Sequence, residues 1–144
     1  MNIYIRKNDD DLLKYLNEEE FEKIRSLRNL VEYGKNKQIF QAGQTSRDIY
    51  VVLEGCLEIY GKNNDAEEVI IDTIHKGEMI GEVNFAEPIG RHFSVRTKIK
   101  SRVILYSYKK ITELLKWEPA IAAKIYAAIN DALVDRTIKI TQKL

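Results

Sequence analysis

Gly77-Glu78-Met79-Ile80-Gly81-Glu82-Val83-Asn84-Phe85-Ala86-Glu87-Pro88-Ile89-Gly90-Arg91-His92-Phe93-Ser94-Val95-Arg96-Thr97 interrupts a series of β-prone segments with a turn at Gly81, a few residues able to form one helical turn, and a second turn at Pro88 and Gly90. A tight turn into a short helix leaves backbone N–H groups without intrahelical partners, a donor set that suits a phosphate. Arg91, nine residues after Glu82, brings a planar cation to the same anion. A carboxylate repels phosphate, so Glu82 fits such a site as the acceptor of a hydroxyl proton. The expected pocket takes a group that combines a phosphate with a sugar hydroxyl. The plain alternative is that Glu82 and Arg91 pair with each other as a salt bridge.

Outward from this segment the chain has the period of strands. Gln38-Ile39-Phe40-Gln41 precedes a turn at Ala42-Gly43-Gln44. Ile49 to Leu53 is β-rich and stops at Glu54-Gly55, Cys56 to Tyr60 alternates, and Glu68 to Ile74 is β-branched. Phe93 to Thr97 and Ser101 to Tyr108 complete the set. Short strands about ten residues apart, with turn signals between them, predict a β-sandwich or barrel. Tyr50, Tyr60, Tyr106 and Tyr108 are read as packing residues of that barrel. Arg96, Lys98, Lys100 and Arg102 would share one solvated strand face, with Lys109 and Lys110 following.

Helices flank the strands. Phe21, Ile24, Leu27 and Leu30 recur every third residue, and Asn17 with Glu20 has the form of a capping box. A short helix, a break near Asn17 and a second helix to about Asn29 are expected. Ile111, Leu114 and Leu115 form a short amphipathic stretch that ends at Trp117-Glu118-Pro119. Pro119 suits the first position of a long helix to about Thr141. Ile121, Ile125, Ile129, Ala132, Leu133 and Ile140 give that helix an apolar surface wider than one neighbour needs. A homodimer through it is therefore expected, with burial of the stripe against its own barrel as the open alternative.

Composition bounds the function. The 144 residues hold 23 Lys+Arg and 22 Asp+Glu, a net charge of +1, which argues against nucleic acid as a partner of this chain alone. Residues are 44% hydrophobic, too many for disorder, with only seven Gly and two Pro. A single Cys (Cys56) and two His (His75, His92) exclude an internal disulfide and a Cys/His zinc site. Cys56 reads as a half-buried apolar residue with no base partner, and His75 as a surface turn residue. No apolar run approaches the ~20 residues of a membrane span, and Met1 to Arg6 reaches charge too early for a signal peptide. A cytoplasmic single domain is expected. No Gly-x-Ser-x-Gly elbow, His-x-His pair or Cys/His nucleophile is present, so no enzyme is read here.

From about Val31 to Thr141 the sequence resembles the cyclic-nucleotide-binding domain family. Asn36 with Ile39-Phe40-Gln41-Ala42-Gly43 is similar to the family's opening Gly-x-x-Ile-Phe-x-x-Gly, with Asn in place of the first Gly. Tyr50 to Tyr60 matches the Tyr-x-Val-Leu-x-Gly-x-Val-x-Val-Tyr hairpin. Gly77 and Gly81-Glu82 match the entry to the phosphate-binding cassette, and Arg91, Ser94, Val95 and Thr97 fall in register after it. The resemblance implies a mainly β fold with flanking helices: a double-stranded β-helix, or jelly roll, with N-terminal helices and a long C-terminal helix. Within one domain this gives a helical segment over 1–30, the β-roll over 31–108 with its cassette at 77–97, and C-terminal helices over 109–144.

It also implies a ligand, cAMP or cGMP, and no resident cofactor or metal. Glu82 would bind the ribose 2′-hydroxyl and Arg91 the phosphate, with Gly81, Val83, His92, Phe93 and Ser94 around them. Arg136 or Thr137 on the last helix would lie near the base. His92 stands where Ser or Thr is common, Asn84 where a small residue is usual, and Phe93 where Ala is usual. The Phe93 ring is expected to occupy or displace ligand volume. Three roles follow: a stand-alone cyclic-nucleotide sensor acting on a protein partner, a ligand-free dimerisation module, or the sensor part of a catabolite-activator-type regulator. The last needs a helix-turn-helix after the long helix, which a chain ending at Leu144 does not hold.

Overall fold

The computed structural model describes residues 9–142. Residues 1–8 and 143–144, at the two ends of the expected helical segments, and the Ile140 side chain of the expected apolar stripe lie outside the described residues. Among the described residues, eight strands form two antiparallel four-stranded sheets. They are β1 (Asn29–Tyr33), β2 (Gln38–Phe40), β3 (Ile49–Glu54), β4 (Leu57–Lys62), β5 (Glu68–Ile74), β6 (Met79–Ile80), β7 (Ser94–Thr97) and β8 (Ser101–Tyr106). One sheet has the order β1-β8-β3-β6, the other β2-β7-β4-β5. The helices are α1 (Glu18–Ile24), α2 (Glu82–Ala86), α3 (Tyr108–Trp117) and α4 (Pro119–Gln142). This is the expected jelly roll.

The apolar run of β3 is buried on both faces because each face meets a different layer. Ile49, Val51 and Leu53 join a core with Leu12, Phe21, Ile111 and Ile125 of the helical layer. Tyr50 and Val52 point between the sheets, toward Phe40, Leu57, Ile59 and Val95. Tyr50 and Tyr106 are buried, as barrel-packing residues should be, and Tyr108 packs at the margin of the helical core.

The second helix does not run to Asn29. It stops at Ile24, continues as a 3-10 turn over Arg25–Leu27, and gives way to β1 at Asn29. A spacing of three is the 3-10 period as much as an approximate α-helical one, and the backbone of residues 29–33 instead pairs with β8, from Asn29↔Leu105 to Tyr33↔Ser101. The capping box is present: the Asn17 side chain accepts from Glu20 N, and the Glu20 side chain accepts from Asn17 N. The basic run also divides. Lys98 and Lys100 fall in the turn between β7 and β8, while Arg96 pairs with Glu68 and Arg102 with Glu32 and Glu54.

α4 begins at Pro119 and lies across the helical core. Ile121, Ile125 and Ile129 are buried in their own chain, so they are not a dimer surface. The open apolar face carries Ala123, Ala127, Val134 and Ile138. The N-terminal segment straps α4 from outside: Lys14 and Tyr15 contact Asp131, and Lys124 reaches Glu20 at 2.7 Å. Leu115 is exposed rather than buried in the α3 core, and Trp117 is 72% exposed.

Candidate functional site

Residues 77–97 leave the first sheet at β6, pass through α2 and enter the second sheet at β7. Gly81 has φ 102°, and a Cβ there would lie 2.5 Å from the Asp48 carbonyl oxygen, so only glycine makes this turn. Asn36, in place of the opening motif's first Gly, takes the left-handed conformation (φ 58°), which Asn tolerates better than most residues. Asn84, with its side chain buried, donates to the carbonyls of Ile89 (2.7 Å) and Gly90 (3.2 Å) and fixes the second turn. Its size is thus a structural asset of this cassette.

A cavity of about 240 Å³ lies between the cassette and α4. Phe40, Ile59, Ile80, Val83 and Val95 give it apolar walls, and Gly81, Glu82, Asn84, His92, Arg136 and Lys139 supply polar groups. Glu82 has no solvent exposure. Its Oε1 accepts from Arg136 Nε, while its Oε2 is buried with no hydrogen-bond partner among the described residues. Arg136 also donates to the Met79 carbonyl at 3.3 Å.

Arg91 is placed differently from the expectation. It is 3% exposed and does not line the cavity. Its Nε donates to Ser46 Oγ (3.2 Å), Nη1 to the Gly81 carbonyl (3.2 Å) and Nη2 to the Asp48 carbonyl (2.9 Å). The guanidinium sits 4.1 Å from the Phe40 ring centroid. Burial lowers its pKa, opposed by the charges of Tyr50, Asp48 and Glu82. Arg91 thus ties the β2–β3 loop to the cassette, and the ion pair of Glu82 is with Arg136 rather than with Arg91.

Of the other expected residues, Gly81, Glu82, Val83, His92, Phe93 and Arg136 border the cavity. Ser94 does not; its Oγ accepts from Ala42 N at 2.9 Å. Thr137 is exposed and its hydroxyl donates to the Leu133 carbonyl of its own helix. Phe93 is 45% exposed at the rim and rests against Gly61, so its ring leaves the cavity open. Lys139, which also borders the cavity, is not among the expected site residues, although its place three residues after Arg136 puts both on one helix face. Cys56 is half-buried, as expected, but its Sγ lies 3.8 Å from His75 Nδ1, a pairing made by strands β4 and β5 that no local motif announces. No cluster of three or more metal-ligating side chains occurs among the described residues, and no described helix is long and apolar enough to cross a membrane.

The jelly roll thus sets its glycine-entered cassette against a long helix across an apolar cavity. Residues 30–117 match the model of the cyclic nucleotide-binding domain, and the chain belongs to that family. It is 26% identical over 126 residues to the cAMP-activated global transcriptional regulator CRP of Escherichia coli O6:H1, covering 78% of this chain and 60% of that one. The chain thus spans about three fifths of that relative's length. A cyclic nucleotide-binding domain from Methylobacillus flagellatus superposes with a TM-score of 0.89 at 16% identity, covering 98% of this chain and 82% of that one. The c-di-GMP responsive global regulator CLP of Xanthomonas campestris superposes with a TM-score of 0.76 at 22% identity, covering 88% of this chain and 62% of that one.

Proposed function

We propose that this chain senses a cyclic nucleotide in the cavity between α2 and α4 and reports it through the position of α4. The observation that carries the reading is Glu82 Oε2, a buried carboxylate oxygen at the edge of the cavity without a donor among the described residues. An unsatisfied buried acceptor is costly, and a ribose 2′-hydroxyl is a donor of the right kind. Because Oε2 is shielded from solvent, a hydroxyl reaches it only with a shift of the groups around it. Arg136, bonded to the same carboxylate, is one of those groups and carries α4 with it. The mechanism is a population shift between two positions of one helix.

CRP is named as cAMP-activated, which makes cAMP the first ligand to test and cGMP the second. Arg91 supports the phosphate end by holding the cassette backbone in place. Calorimetric titration of the chain with cAMP and cGMP, with AMP and GMP as controls, tests the reading. Roughly micromolar binding of one cyclic form, weakened at least about tenfold by Glu82→Gln, supports it. A folded protein that binds no cyclic nucleotide refutes it in favour of a ligand-free interaction module.

The exposed Ala123, Ala127, Val134 and Ile138 face favours a second copy of the chain as the partner of α4. The matched relatives are transcription regulators, so we place the work of this module in the cytoplasm, as the sensing part of such a regulator or as a free sensor for a protein partner.

A further inference from the structure

The Phe93 ring is a wall shared by two hollows. Beyond the cavity of about 240 Å³ lies a groove of about 520 Å³, and Ile71, His92 and Phe93 line both. A bulge creates this junction. β4 and β5 pair at Ile59↔Asp72 and then at Tyr60↔Ile70, which leaves Ile71 as an extra residue. Gly61 gives the ring its seat, since a Cβ there would lie 3.4 Å from both Ile71 Cδ1 and Phe93 Cδ1. Val69, Ile71 and Phe93 are each 37–45% exposed in this groove, an apolar surface continuous with the deeper cavity. Its acid, Glu68, is held by Arg96 in two hydrogen bonds of 3.0 and 2.9 Å, while its cation, Lys62, stands exposed at the rim.

A ligand confined to the deeper cavity leaves the outer apolar surface in water. A second base would cover that surface and stack on the exposed Phe93 ring, as bases do on aromatic side chains. We infer that this site takes a cyclic dinucleotide, with one nucleotide in the deep cavity, the second base against Phe93 in the outer groove, and Lys62 beside a linking phosphate. This rests on the reading of the deep cavity as a nucleotide site.

Titrating the full chain with cyclic di-GMP, cyclic di-AMP, cAMP and cGMP, before and after Lys62→Glu and Phe93→Ala, tests it. Lys62 is exposed and its substitution spares the core. The expected result is a cyclic dinucleotide bound at least about tenfold more tightly than either mononucleotide. Lys62→Glu should weaken the dinucleotide about tenfold and leave any mononucleotide binding within about twofold, and Phe93→Ala should weaken the dinucleotide by a similar factor. A mononucleotide that binds as tightly as any dinucleotide, or a Lys62→Glu effect equal for both sizes, overturns the inference and leaves the nucleotide site standing. Silence from all four ligands overturns both.

Discussion

Arg136 and Glu82 stand 54 residues apart and are joined in the fold, Arg136 Nε donating to Glu82 Oε1. The carboxylate is fully buried, and the guanidinium side chain is 22% exposed. The pair ties the C-terminal helix to the first residue of α2, so whatever changes at Glu82 is felt by α4.

Arg136→Ala leaves a buried carboxylate without its cation. Breaking a fully buried pair costs about 3–5 kcal/mol. The partial exposure of Arg136 lets water replace some of the interaction, so a loss of about 2–3 kcal/mol is expected. Urea denaturation measures it, and a loss below about 0.5 kcal/mol would mean that the pair does not hold α4.

Gly81→Ala places a Cβ on a left-handed backbone, 2.5 Å from the Asp48 carbonyl oxygen. Backbone strain and the clash together should cost about 2 kcal/mol or more. The same change at Gly43, which is also left-handed but has nothing within 4 Å of its Cβ, should cost less. Melting curves of the two variants compared with the parent give the contrast, and equal losses would show that crowding at Gly81 is unimportant.

Tyr106 donates to Asp10 and accepts from Arg28 Nε at 3.0 Å, all three side chains being buried. Burial raises the Tyr106 pKa well above 10.0. A group whose folded-state pKa is raised contributes stability that is complete below its unfolded pKa and is lost as pH rises through its folded pKa. The fold should therefore weaken as pH climbs above 10, and Tyr106→Phe should flatten that alkaline limb while lowering stability at neutral pH through the lost hydrogen bonds. Denaturation series between pH 8 and pH 11 check this; an unchanged alkaline slope in the variant would contradict it.

Ile138→Glu puts a charge on the open face of α4, where Ile138 is 49% exposed. If two copies meet there, light scattering at tens of micromolar protein should show a dimer for the parent and a monomer for the variant, with the melting temperature of the fold nearly unchanged. A monomeric parent would count against the α4 interface.

Much of the architecture was legible because it is written in local chemistry. Turn glycines, the Asn17/Glu20 capping box, Pro119 and the β-branched runs act on their own neighbours, and the spacing from Gly77 to Thr97 carries the cassette. Asn36, standing where the motif has its first Gly, adopts the left-handed backbone that Asn tolerates better than most residues.

Tertiary structure decided what depends on long-range partners. Residues 29–33 became a strand because β8 offered its edge, and the Ile121, Ile125 and Ile129 stripe turned inward because the helical layer of the roll needed covering. Arg91 was drawn to the carbonyls of Gly81 and Asp48, and Glu82 to Arg136, since a buried charge takes the partner that the fold brings within reach. A sequence names the ionisable groups of a pocket and their order. Which of them pair is settled by distances between segments far apart in the chain, as between β2, α2 and α4 around this cavity.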